Sequence, residues 1–247
     1  MISTLEAIAS GGRPFAVSDV QQATGLPTPT CYRLVHTLLS HGLLDRSEGS
    51  GRYVIGERLV RIALLGKSDV DVCDAVSPRL KSTAVQVNES VFLARLQAGQ
   101  VKIIHVETPD DPERSYIHPG LSERPFHACS CAKAIAAFAE PNFRNEILFG
   151  PLAQYTEFTK TSRDELIEEF ESIVERGYAD CDQEVDPGIA SVAAPVSIGE
   201  IGAAYSIGAV GPVLRFGEDK RADVGRELVS LAGTIGAAIQ LGGSAQT

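Results

Sequence analysis

The 247-residue chain has no run of about 18 consecutive apolar residues, which excludes a membrane-spanning helix and leaves no membrane partner to expect. Its first residues, Met1-Ile2-Ser3-Thr4-Leu5-Glu6, lack the basic-then-apolar order of a secretory signal, so a cytoplasmic location is expected. Cysteine is sparse: five residues, an odd number, without framework spacing and without a C-x-x-C pair. That argues against a disulfide scaffold and for reduced thiols. Catalytic signatures are missing too. There is no G-x-S-x-G elbow, no glycine-rich phosphate loop and no H-E-x-x-H, so no such motif identifies an enzyme or a cofactor. Positive charge is scarce overall, 22 Lys and Arg against 32 Asp and Glu, a net of −10. The scarcity is uneven: residues 1–67 carry 7 basic and 5 acidic side chains, net +2, and the remainder carries net −12. Such asymmetry points to separate partners for the two parts of the chain.

The first 67 residues read as short helices and a hairpin. Leu5 and Ile8 give the first helix one apolar face, and Gly11-Gly12 stops it. Ser18-x-x-Gln21 has capping-box spacing for a second helix, which Thr24-Gly25 ends. A third starts with Thr28 as cap and Pro29 at the first helical position. Cys31, Leu34, Val35, Leu38 and Leu39 then recur at i, i+3, i+4, i+7 and i+8, a stripe that faces a core. Its opposite side carries Pro29, Tyr32, Arg33 and His36, with Thr28 and Thr30 at the N-terminus. Leu43–Arg46 and Arg52–Ile55 are short strands around Ser47-Glu48-Gly49-Ser50-Gly51, with Arg46 and Arg52 at the feet of the hairpin.

Helix, helix, Gly-Leu-Pro turn, helix and hairpin is the order of a winged helix-turn-helix. A helix of this width fits the major groove of duplex DNA. Thr28 and Thr30 can bond bases or phosphates, Arg33 can pair with guanine or a phosphate, Tyr32 can touch the backbone, and the wing arginines can meet phosphates. A winged helix can also serve as a protein-protein module.

A connector follows, with Leu59, Ile62, Ala63 and Gly66 along one side. Pro78 suggests that a linker helix ends near Ala75 and a new helix runs from Ser77 to Val87. The apolar connector suggests a dimer seam or a packing face. The expected division is 1–57 winged helix-turn-helix, 58–75 linker helix and 76–247 effector domain. In the last part, Ser90–Leu96 and Val101–Val106 form a hairpin. Arg114–Ile117 reads as an edge strand, His127–Phe138 as a helix, and Ser162–Arg176 as an amphipathic helix stopped by Gly177. Strands are expected around Tyr178–Asp180, Ser191–Val196 and Ile201–Ile207, with a last helix over Asp219–Leu241. This is an α+β order around a mainly antiparallel sheet.

Four segments together carry a family resemblance: Leu26-Pro27-Thr28-Pro29-Thr30-Cys31-Tyr32-Arg33-Leu34; His127-Ala128-Cys129-Ser130-Cys131-Ala132-Lys133-Ala134; Arg176-Gly177-Tyr178-Ala179 with Asp182-Gln183-Glu184; and Val192-Ala193-Ala194-Pro195-Val196 ending at Gly211-Pro212. In order and spacing the chain resembles the IclR family of transcription regulators over nearly its whole length. The resemblance implies a GAF-like α/β effector domain behind the winged helix, a homodimer or homotetramer, a double-stranded DNA operator, and a small-molecule effector. Carboxylates and aromatic acids are among the effectors of a family that represses or activates catabolic genes. It places the effector against Ser130, Cys131, Cys181, Ser191, Gly208 and Val210. Several members have a glycine, an acid and two serines where this chain has Ser130, Cys181, Gly208 and Val210, which implies a larger or less polar ligand here. The resemblance also implies several residues ahead of the first helix, whereas Met1 falls inside it.

Two other readings start from the same cysteines. His127, Cys129 and Cys131, with Cys181, offer donors suited to zinc, although C-x-C at a helix start is expected to point its side chains apart. The same Cys-His set could serve a cysteine-dependent enzyme, against which stands the ordinary role of lone cysteines as buried hydrophobes.

Overall fold

A computed structural model describes residues 1–47, 49–111, 124–198 and 202–241. It divides into two units, residues 1–67 and 68–247. The first contains α1 (Ile2–Ser10), α2 (Val17–Thr24), α3 (Thr28–Ser40), β1 (Leu44–Arg46), β2 (Tyr53–Ile55) and α4 (Glu57–Leu65). Its core is Ile8, Val17, Val20, Cys31, Val35, Leu38 and Leu44, joined by Phe15. Phe15 is part of the hairpin as well: it exchanges two backbone hydrogen bonds with Tyr53, 2.9 and 2.7 Å long, and so adds a third rung beside β1 and β2.

Two caps differ from expectation. The box expected at Ser18 is displaced, because α2 is capped at Ala16 and the Asp19 carboxylate accepts the Ala16 N–H at 2.8 Å. Alanine has no acceptor to complete the box, and Arg13 holds the carboxylate at 3.0 Å instead. α3 is capped at Pro27, so Pro29 is its second residue, and the Thr28 hydroxyl donates to Gln21 Oε1 at 2.9 Å rather than capping. The end of α2 is as expected: Gly25 adopts φ 68°, a left-handed conformation that suits glycine.

The second unit contains α5 (Asp69–Val87), β3 (Ser90–Gln97), β4 (Gln100–Glu107), α6 (Ser130–Ala137), α7 (Pro141–Phe149), α8 (Arg163–Arg176), β5 (Ala179–Asp182), β6 (Ile189–Ser197), β7 (Ala203–Pro212) and α9 (Glu218–Leu241). The strands form one antiparallel sheet in the order β4-β3-β7-β6-β5. α6 packs on one face of the sheet, with α7 and α8 beside it; α5 and α9 pack on the other. All eight residues of α6 are buried.

The helix break expected between Ala75 and Ser77 falls instead at Gly66–Ser68, and α5 runs through Pro78. Ser68 is the cap: its hydroxyl accepts the Asp71 N–H at 3.2 Å and donates to the Asp71 carboxylate at 2.7 Å. Proline removes one amide from the ladder. Val72, Val76, Leu80, Ala84 and Val87 bury one side of α5, and that burial offsets the loss. The helix expected from His127 starts at Ser130. The edge strand expected at Arg114–Ile117 lies outside the described residues, and α7 was not expected at all.

Candidate functional site

On α3, Cys31, Val35 and Leu38 are fixed in the core, which turns the opposite face outward. Pro29, Tyr32, Arg33 and His36 follow one another at i, i+3, i+4 and i+7 and are all exposed; Thr28 is exposed at the N-terminus and Thr30 half-buried. Tyr32 is 60 % exposed, a large aromatic ring held in solvent by a helix whose other face is anchored. Arg46 and Arg52 on the hairpin are exposed as well, Arg52 donating to the Pro14 carbonyl at 3.3 Å. The eight residues therefore share one mildly basic unit, all exposed except the half-buried Thr30.

The six residues expected at the effector site converge within the second unit. Cys181, Ser191 and Val210 lie directly opposite one another across β5, β6 and β7, and Gly208 is two residues along on the same face. Ser130 is the first residue of α6, and its hydroxyl meets that of Ser191 at 2.7 Å. Ser206 donates to the Cys131 carbonyl at 3.0 Å, which ties the same helix turn to β7. All six are buried. At Gly208 an added Cβ would lie 2.3 Å from Cζ of Phe92, so the Phe92 ring occupies the space that a serine would need.

A cavity of about 570 Å³ lies elsewhere, and none of those six residues lines it. Its walls carry Glu165, Glu168, Glu169, Asp180, Asp182 and Glu184 against Lys160 and Arg176, a balance that repels anions. Behind it, Lys133 is wholly buried and donates to Glu169 Oε1 and Glu184 Oε1, each at 2.6 Å. Burial opposes charge on this lysine, but the two carboxylates more than offset it and hold its pKa above the usual value. Lys160 adds a second cation 3.0 Å from Glu169. Burial pushes Glu169 up, yet Lys133 and Lys160 hold it below its ordinary value. Glu184 shares one ammonium with a neighbouring carboxylate, and burial pushes it up to about 7.

A pH dependence follows. Between the ordinary Glu184 value of 4.5 and about 7 the folded state keeps a proton that the unfolded state has released. Glu184 therefore makes stability fall as pH rises through that window. Glu184→Gln mimics the protonated group. Relative to wild type it is expected to gain about 1–3 kcal/mol on going from pH 5 to pH 8. Urea unfolding at the two pH values checks this, and a difference that stays constant would refute the assignment of the proton to Glu184.

His127 does not join the cysteines. One ring nitrogen lies 2.8 Å from the Ala153 carbonyl and the ring stacks on Tyr155. Among the described residues no group of three or more His, Cys, Asp or Glu is arranged to hold a metal. The Cys129 and Cys131 side chains do not diverge as expected: their sulfurs are 3.4 Å apart. Cys129 is the N-cap, with non-helical φ −91° and ψ 130°, so its side chain turns back over the first helical turn. No helix among the described residues is long and apolar enough to cross a membrane.

Comparison with known proteins agrees with this geometry. Residues 67–237 match the family model described as bacterial transcriptional regulator IclR C-terminal, and residues 2–48 match the IclR helix-turn-helix domain. The glycerol operon regulatory protein of Streptomyces coelicolor is 32 % identical over 221 residues, 87 % of this chain and 85 % of that protein. The regulator KdgR of Escherichia coli is 23 % identical over 211 residues, 84 % of this chain and 79 % of its own. Among solved structures, the IclR of Thermotoga maritima superposes with a TM-score of 0.64 at 21 % identity, covering 97 % of this chain and 96 % of that one. An IclR homologue of Microbacterium hydrocarbonoxydans complexed with 4-hydroxybenzoate gives 0.59 at 22 % identity, covering 96 % and 97 %. With both family models matched in order, and a helix-turn-helix followed by an α/β unit around an antiparallel sheet, the chain belongs to the IclR family of DNA-binding bacterial transcriptional regulators.

Proposed function

We propose that this regulator binds its operator through the exposed face of α3 and the wing arginines, and that a small molecule held between α6 and the sheet controls its affinity. The observation that carries the reading is the anchored α3, whose outward face offers Thr28, Pro29, Thr30, Tyr32, Arg33 and His36 to a groove while its inner face is locked in the core. Arg46 and Arg52 supply phosphate contacts. The protein acts in the cytoplasm as a homodimer or homotetramer. Palindromic operators require two reading helices, which favours such pairing.

The ligand site comprises Ser130, Cys131, Cys181, Ser191, Gly208 and Val210. Ser130 lies in the first turn of α6, where free amides and the helix dipole favour an anionic group. With Phe92 over Gly208 and a valine at 210, the remaining wall is apolar, which suits an aromatic or aliphatic acid better than a small hydroxy acid. Binding replaces the hydrogen bond between Ser130 and Ser191 with bonds to the ligand. Coupling of about 1–3 kcal/mol between this site and the operator changes affinity by roughly 5- to 150-fold.

A thermal-shift screen of small carboxylic and aromatic acids, 4-hydroxybenzoate among them, tests the ligand reading, because a ligand of the native state raises the melting temperature. Mobility shifts with promoter fragments, with and without each hit, test the regulation. Ser130→Leu is expected to abolish the thermal shift while operator binding without ligand stays within about twofold. An unaltered response to the ligand would reject this site.

A further inference from the structure

Cys129 and Cys131 are built differently from the other three thiols. Their sulfurs are 3.4 Å apart, and both side chains are buried at the start of α6. A disulfide needs about 2.05 Å between sulfurs, so the two atoms must approach by a further ~1.4 Å. Cys129 is the N-cap of α6, so its sulfur lies at the start of the helix, beside that of Cys131. It is also the more open of the two: 7 % of Cys129 is accessible against none of Cys131.

We propose that Cys129 and Cys131 form a modification site, a dithiol that a hydroperoxide oxidises to a disulfide within one chain, across the N-terminus of α6. Cys129 is the attacking group. The Cys131 sulfur 3.4 Å away and the positive charge of Arg124 lower its pKa to about 7 despite burial. Cys131 stays a neutral thiol, held up by its bond to Cys129 and by burial. Cys73 and Cys181 are poorer targets, since burial pushes them up to about 11 and about 12. The chemistry balances with hydrogen peroxide as oxidant. The Cys129 thiolate attacks one peroxide oxygen; an S–O bond forms, the O–O bond breaks, and the departing hydroxide takes up a proton as water. Cys131 then attacks the sulfenic sulfur. The S–S bond forms, the S–O bond breaks, and the second hydroxide leaves as water with the Cys131 proton. Two thiols are oxidised, and one peroxide is reduced to two waters.

The test uses the full chain. After hydrogen peroxide treatment and removal of the excess, thiols are counted under denaturing conditions and the protein is digested for mass analysis. The expected result is that the five thiols fall to three. The peptide holding Cys129 and Cys131 is expected to be lighter by two hydrogens and to resist alkylation until dithiothreitol restores it. In Cys131→Ser the resolving thiol is gone, so a sulfenic acid on Cys129 is expected to be trapped by dimedone. Five thiols surviving in wild type, oxidation falling first on Cys73, or Cys129 passing to an unlinked sulfinic acid would each overturn the proposal.

Discussion

Lys133→Met is expected to destabilise the C-terminal unit by about 3–5 kcal/mol, because removing one partner of a buried ion cluster leaves the others uncompensated. The ammonium joins three elements: it rises from α6, bonds Glu169 on α8, and bonds Glu184 in the turn between β5 and β6. Without it, Glu169 keeps Lys160 at the cavity side, but Glu184 loses the cation that its Oε1 bonds. For a unit of this size each kcal/mol moves the melting temperature by about 2–4 °C. Calorimetry or urea unfolding is therefore expected to show the transition of the second unit falling by roughly 6–20 °C while that of residues 1–67 stays in place. The pairing can be separated from simple packing loss. If the charges are the cause, Lys133→Met combined with Glu169→Gln costs less than the sum of the two single changes. A single substitution within about 1 kcal/mol of wild type would refute this account of the cluster.

That cluster was invisible in the sequence. Lys133 lies 36 residues from Glu169 and 51 from Glu184, so no local spacing connects them. Only a charged residue in an otherwise alanine-rich apolar segment could have drawn attention to Lys133. The start of α6 was misplaced for a related reason. A helix buried on every side has no polar face, and its ends cannot be found from periodicity. The relative direction of Cys129 and Cys131 depends on that end, which is why the pair was expected to diverge. α7 buries only Leu148 and offers hardly any stripe to detect. Segments with one polar and one apolar face were legible. Cys31, Val35 and Leu38 located α3, and α8 was delimited by Ser162 and by Gly177, whose φ is 83°. The six residues assigned to the ligand came from a resemblance rather than from any pattern. That they converge across three strands and one helix turn follows from sheet register, which the sequence does not display.

Arg33→Ala is expected to weaken operator binding by about 5- to 150-fold, the loss of about 1–3 kcal/mol that follows removal of a side chain paired with a base edge. The helix itself should persist. Alanine favours helix at least as well as arginine, and the core contacts of α3 come from Cys31, Val35 and Leu38 on the far side. Thermal stability, and any melting shift caused by a ligand of the second unit, are therefore expected to stay unchanged. Arg52→Ala supplies the contrast. A phosphate contact carries no sequence information, so its loss should weaken specific and scrambled duplexes alike and lower the salt slope by about 1. Fluorescence anisotropy with both duplexes over a range of salt distinguishes the two roles. If Arg33 reads a base, its replacement erodes the ratio between the duplexes; if it meets a phosphate, the ratio survives and the slope falls. Unchanged affinity for both duplexes would mean that the outward face of α3 does not enter the groove at Arg33, and the reading helix would have to be sought elsewhere in residues 1–67.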